Sequence, residues 1–232
     1  MSWHPSWFDQ SIAERATLAW RGVEAQHVVS TMRLVDSPDE QDLLEQLLEA
    51  SKPDMPSTRR PLHYLLATPF RYSPAHESRF RKANTKGQWY GALDLYAACA
   101  EVAYWRHRFI LDSAGLLKEV LLTEHTFFQG QVSGRAMDLM TPPWSQCRSL
   151  WTDGQSYAHT HALADVAQKV GLQWLAYESV RAPTFQCVVV FDPEALAEPP
   201  GGLDRTMQTW RCKASAQRVW MSRGRESYMW DF

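Results

Sequence analysis

The chain has 232 residues, 45% of them hydrophobic, which is enough for one large domain with a sizeable core. Its formal net charge of −2 lacks the basic excess of a nucleic-acid-binding protein, so no direct nucleic-acid contact is expected. No basic-then-apolar leader and no run of about 18 apolar residues occurs, and neither secretion nor a membrane span is expected.

The four cysteines (Cys99, Cys147, Cys187 and Cys212) form no C-x-x-C pair and read as reduced thiols of a cytoplasmic protein. The 11 tryptophans read as large core and interface units.

In chain order, residues 1–60 predict an N-terminal helical extension. The stretch 10–35 is rich in Ala, Glu, Arg, Leu and Val and reads as one helix. Ser37, Pro38 and Glu40 have capping-box spacing and start a second helix over 39–51, with Leu43, Leu44, Leu47 and Leu48 as its apolar stripe. Pro53, Pro56 and Pro61 mark a linker. Residues 62–66 and 69–72 read as short extended segments, and 88–92 as a strand. Asp94 caps a helix reaching about 109. Two strands, 120–128 and 130–139, are expected around a tight turn at Gln129-Gly130. A helix over 156–170 ends at Gly171. Strands follow at 172–180, 185–191, 207–212 and 218–222. Strands and helices mix without strict βαβ alternation, which predicts an α+β fold.

Familiar chemical motifs are absent: no G-x-G-x-x-G, Walker loop, G-x-S-x-G or H-E-x-x-H occurs. His159 and His161 stand two apart on a predicted helix and point in different directions, so no metal site is expected. His125 reads as a surface or core hydrogen-bonder, and Arg15, Arg21, Arg59 and Arg60 as solvated. One charge stands out. Glu101 lies in an apolar helical run, where a lone carboxylate is costly to bury unless a partner or a use exists. Arg71, Arg79 and Arg181 are its candidate partners.

The ordered set Arg71-Tyr72, Ser78-Arg79-Phe80, Tyr90, Ala97 through Glu101, Gly171, Tyr177 through Arg181 and Val188 through Pro193 resembles the RES domain. That family is named for an Arg, a Glu and a Ser, which Arg71, Glu101 and Ser179 match. The resemblance covers about residues 62–198, within a catalytic domain drawn at 61–232. One departure is visible: the usual glycine-glycine-arginine turn reads Glu77-Ser78-Arg79 here.

The resemblance implies an ADP-ribosyltransferase-like fold and an NAD⁺-depleting toxin of a RES–Xre type II toxin–antitoxin pair. Such a toxin cleaves the nicotinamide–ribose bond, with inorganic phosphate or water as acceptor and no metal. A helix-turn-helix antitoxin would occlude the site. On this reading Glu101 stabilises an oxocarbenium-like ribose. Arg71 and Arg79 suit the pyrophosphate or an attacking phosphate. Tyr72 or Tyr90 stacks on nicotinamide or donates a hydroxyl, and Ser179 hydrogen-bonds a ribose or phosphate. Strand alternation puts Leu175, Tyr177 and Ser179 on one face and Glu178 on the other, which argues against Glu178 as the acid. Arg181 reads as closing that strand and is left out of the site. Two alternatives stay open: a protein mono-ADP-ribosyltransferase, and a non-catalytic binding module. The leucines of the N-terminal extension allow a homodimer or an antitoxin surface.

Overall fold

An 18-residue strand, β3 (Leu121–Asp138), organises the molecule; the computed structural model describes residues 3–25, 31–32 and 34–232. The sequence predicts a turn at Gly130, but the strand runs straight through it. Gly130 has no positive φ, and a side chain there would meet Leu66 and Trp89 at 3.1 and 3.3 Å. It is a glycine of close packing, not of chain reversal.

Residues 13–24 correct the helical reading of 10–35. They form β1 (Ala13–Glu24), antiparallel to β3 from Ala13 opposite Ala136 to Glu24 opposite His125. Residues 26–30 and 33 of the expected helix lie outside the described residues. Helix propensity is a weak prior that tertiary pairing overrides. Gly22 lets β1 come this close: a Cβ there would meet the Phe127 ring at 2.5 Å.

The remaining strands are β2 (Trp89–Ala92), β4 (Trp174–Glu178), β5 (Gln186–Val190), β6 (Leu196–Ala197), β7 (Gln208–Ala214), β8 (Arg218–Arg223) and β9 (Glu226–Asp231). Pairing runs β1–β2–β5–β4–β3 and returns to β1, which closes a ring of strands. Among the described residues only the β3–β4 pair is parallel. From the first half of β3 a second wing, β7–β8–β9, extends outward. The result is a mixed α+β architecture, as expected. The third strand of that wing, β9, was not predicted.

The helices are α1 (Trp7–Ser11), α2 (Pro38–Ala50), α3 (Tyr64–Ala67), α4 (Leu95–Leu111), α5 (Arg148–Trp151) and α6 (Ala158–Lys169). The segments 62–66 and 69–72, read as extended, fall largely in α3 and a 3₁₀ turn over Thr68–Phe70 instead; His63 caps α3 by accepting from Leu65 N–H, and Pro69 suits the start of the turn. The caps read from sequence are present. Ser37 Oγ accepts from Glu40 N–H at 3.2 Å, and Asp94 from Tyr96 N–H at 2.7 Å. Gly171 (φ 72°) and Leu172 donate back to the carbonyls of Gln168 and Ala167, a Schellman closure of α6.

Helix α4 lies on the sheet through Ala97, Cys99, Ala100, Ala103 and Ile110, against Phe127, Leu175, Val189, Trp210 and Met221. A second cluster, with Leu66, Trp89, Phe128, Trp174 and Val188, fills the other side. No helix among the described residues is long and apolar enough to cross a membrane.

Candidate active site

Helix α4 carries Glu101 along one wall of a cleft of about 780 Å³, lined by β1, β2, α4, β3 and the 177–181 segment. Capping by Asp94 fixes where the helix starts. Its small residues, Ala97, Ala98 and Ala100, let it sit close on the sheet and bring Glu101 beside the end of β4.

Ser179 is buried and donates its hydroxyl to Glu101 Oε1 at 2.7 Å. The same hydroxyl oxygen accepts from the backbone N–H of Arg181 at 3.2 Å and of Ala182 at 3.0 Å. A hydroxyl has one proton and two lone pairs, so Ser179 is fully engaged. It ties the 179–182 turn to the carboxylate. Burial raises the Glu101 pKa above the usual carboxylate range; the Ser179 hydrogen bond and the guanidinium groups of Arg181 and Arg79 oppose that rise.

Arg79, only 8% exposed, donates to the carbonyls of Trp151 and Asp153, both at 2.9 Å, and lies over the Tyr157 ring. Its backbone is held from α6: Thr160 donates to the Arg79 carbonyl, and His161 Nε2 to the Ser78 carbonyl at 2.8 Å. This is the work of His161. Among the described residues no cluster of side chains could hold a metal ion. The Glu77-Ser78-Arg79 turn closes by paired Ser78 and Arg81 backbone bonds of 2.8 and 3.0 Å. None of residues 77–81 has a positive φ, so serine replaces glycine there without backbone strain.

Tyr90 lines the cleft with its ring, while its hydroxyl donates to Gln88 Oε1 (3.0 Å), accepts from Phe80 N–H (3.2 Å) and meets Ser78 Oγ (2.9 Å). Burial pushes its pKa up to about 12. The hydroxyl is therefore part of the turn's scaffold, and the ring is what faces the cleft.

Glu101, Ser179, Arg79 and Tyr90 thus come together. Arg71 and Tyr72 do not: neither lines the cleft. The Arg71 guanidinium bonds Glu49 Oε1 at 2.7 Å and the Pro53 carbonyl, at the C-terminal end of α2. Lys52 and Arg71 together hold the Glu49 carboxyl below its usual range. An acidic helix end competes for Arg71, and a fragment-by-fragment reading does not reveal this. Glu178 lies on the other face, as alternation predicts. It forms a two-point pair with Arg148 at 2.5 and 2.7 Å and accepts from Thr184 N–H at 2.9 Å.

Three lining residues were missed. Arg181, set aside as a strand end, packs its guanidinium 3.3 Å from the Tyr104 ring centre and faces the Glu101 side of the cleft. Arg21, read as solvated, is half-buried on β1. It donates to the Tyr90 carbonyl at 2.8 Å, while its buried Nε has no hydrogen-bond partner among the described residues. Burial lowers its pKa to about 10. His125 on β3 is also buried with Nδ1 unpartnered, and burial first, then Arg106, pulls its pKa down to about 4. The available signal for Arg21 was Trp20, Gly22 and Val23, a poor helix but a plausible strand.

A family model described as the RES domain matches residues 55–215. Comparison with curated protein sequences gives no match. Among solved structures, the chain is similar to one described as the crystal structure of the M. tuberculosis MbcT–MbcA toxin–antitoxin complex. The identity is 14% and the TM-score 0.50, over 91% of this chain and 92% of that chain. At that identity the likeness is one of fold, the mixed α+β architecture described above. The family match spans more than half of the sequence and includes Arg79, Tyr90, Glu101, Ser179 and Arg181, and on that basis the chain belongs to the RES domain family.

Proposed function

We propose that this chain is an NAD⁺-cleaving toxin of a toxin–antitoxin pair, breaking the nicotinamide–ribose bond with phosphate or water as acceptor. The observation that carries the reading is the Glu101–Ser179 contact in a large cleft lined by arginines and aromatic rings. The residues fit a dinucleotide. A cleft of about 780 Å³ is within the size range of small-molecule sites. Arg79 and Arg181 suit phosphate oxygens. Arg21, with an unpartnered buried Nε, has a donor to spare. Tyr90, Tyr157 and Trp105 offer faces for flat rings.

Bound NAD⁺ supplies a cationic nicotinamide that leaves with the bonding electron pair, so positive charge develops on the ribose. The Glu101 carboxylate stabilises such charge, most strongly where water is excluded. Ser179 fixes Oε1 and leaves Oε2 for the substrate. Arg181 and Arg79 favour the ionised form against burial. The partner reading follows the same line: an antitoxin would cover this cleft, in keeping with a structural neighbour that is itself the toxin of a toxin–antitoxin complex.

The test is mass spectrometry of NAD⁺ incubated with the protein, with and without inorganic phosphate. Release of free nicotinamide is expected, with a phosphorylated ADP-ribose appearing only when phosphate is present. Intact NAD⁺ at high protein concentration would exclude the reading, and label carried onto a protein from lysate would move it to protein modification. Arg71 has its own check. Arg71→Ala and Glu49→Gln are expected to act alike, loosening α2 to proteolysis and changing nicotinamide release by no more than a few-fold. Loss of release in Arg71→Ala alone would bring Arg71 back to the substrate.

A further inference from the structure

Helix α2 has 13 residues and none of them is buried. Its Leu43 and Leu47 are 55% and 60% exposed, beside Leu48 on the same stripe. An isolated helix of this length is marginal in water, and a helix in a protein is held mainly by packing an apolar face. Capping by Ser37 and the Glu49–Arg71 bond secure the two ends but leave that face uncovered.

The same chain offers a complementary surface. On the outer face of the β3–β7–β8–β9 wing, Leu122, Lys213, Trp220 and Met229 stand opposite one another in one cross-strand row. Leu122 is 76% exposed and Trp220 45%. Leu122, Arg211, Lys213 and Trp220 line a groove of about 580 Å³. Two carboxylates also line it, but Glu24 is paired with Arg106, and Glu124 lies 4.0 Å from Arg211. Lys213 has no acidic partner among the described residues. The charges of the two surfaces are opposite. Helix α2 has five acidic residues and no basic one, while residues 208–231 have five basic and two acidic.

We propose that α2 of one chain docks its leucine stripe on the Leu122–Trp220–Met229 row of a second copy. Contact within one chain is disfavoured: Arg71 ties the end of α2 beside the 69–72 segment, which bonds through Tyr72 to Gly87 just before β2, away from β8 in the strand order. A two-fold axis makes the contact twice and closes the assembly as a dimer.

Sedimentation velocity on the full chain tests this. A dimer is expected at micromolar concentration, weakened by salt. Leu43→Asp combined with Leu47→Asp, and separately Trp220→Asp, should each weaken association at least about tenfold, with an unchanged circular-dichroism spectrum and NAD⁺ turnover. Mixing the two variants should restore association, because one contact stays intact. Lys213→Glu should weaken the dimer, and Glu45→Lys in the same chain should recover it. A wild-type chain that stays monomeric would assign α2 to a different partner and overturn the proposal, and so would a dimer that survives both apolar substitutions.

Discussion

Glu101→Gln is expected to lower nicotinamide release at saturating NAD⁺ by about 10²–10³-fold, the usual cost of removing one preorganised electrostatic stabiliser. Its melting temperature should hold or rise. The reason is the direction of the Glu101 shift. Burial raises its folded-state pKa, so the carboxyl's contribution to stability is fully present below the unfolded pKa and is lost as pH rises through the folded one. Glutamine keeps an acceptor for the Ser179 hydroxyl and carries no charge to desolvate. The stability gain over the parent should therefore widen from acidic to neutral pH. Calorimetry across that range, beside steady-state release of nicotinamide, checks both halves. A variant that is inactive because it is unfolded would show a fallen melting temperature, and a variant that keeps parental turnover would remove Glu101 from the chemistry.

Ser179→Ala is expected to act on both stability and rate. The substitution leaves the N–H groups of Arg181 and Ala182 without their acceptor and Glu101 Oε1 without its donor. Leaving buried groups unpaired costs about 1–3 kcal/mol, which for a domain of this size lowers the melting temperature by about 2–4 °C per kcal/mol. Turnover should fall about ten- to a hundredfold through loss of positioning. The diagnostic readout is the pH profile. Ser179 is the first of the groups that oppose the rise of the Glu101 pKa, so its removal should move the acid limb of kcat/KM to higher pH. A lower rate with an unmoved limb would make Ser179 a structural residue of the turn and no more.

Much of the site was legible in the sequence because its parts are local. Asp94 caps α4 and Glu101 follows in register, so the helix and its lone, half-buried charge are both visible in one stretch of chain. Strand alternation separates Ser179 from Glu178, and the structure assigns Glu178 to Arg148. The RES pattern joined those local pieces. Arg71 shows where this reasoning stops: its partner, Glu49, belongs to a separate helix whose position no spacing predicts. Arg181 and Arg21 fail in the opposite sense. One was read as a strand end and the other as a helix surface, and both line the cleft.

By itself, the sequence determined the α+β class, the caps and the glycine closure of α6, which depend on residues within a turn or a strand of one another. It singled out Glu101 and Ser179, but read an arginine as the partner of the first and a ribose or phosphate as the partner of the second. Only the tertiary structure decided that residues 13–24 are a strand and that Gly130 is a point of close packing. It also decided that Ser179 holds Glu101, which arginines line the cleft beside it, and that α2 stands with its leucines in solvent. These outcomes depend on contacts between segments far apart in the chain, and there the energy of pairing and packing outweighs local propensity.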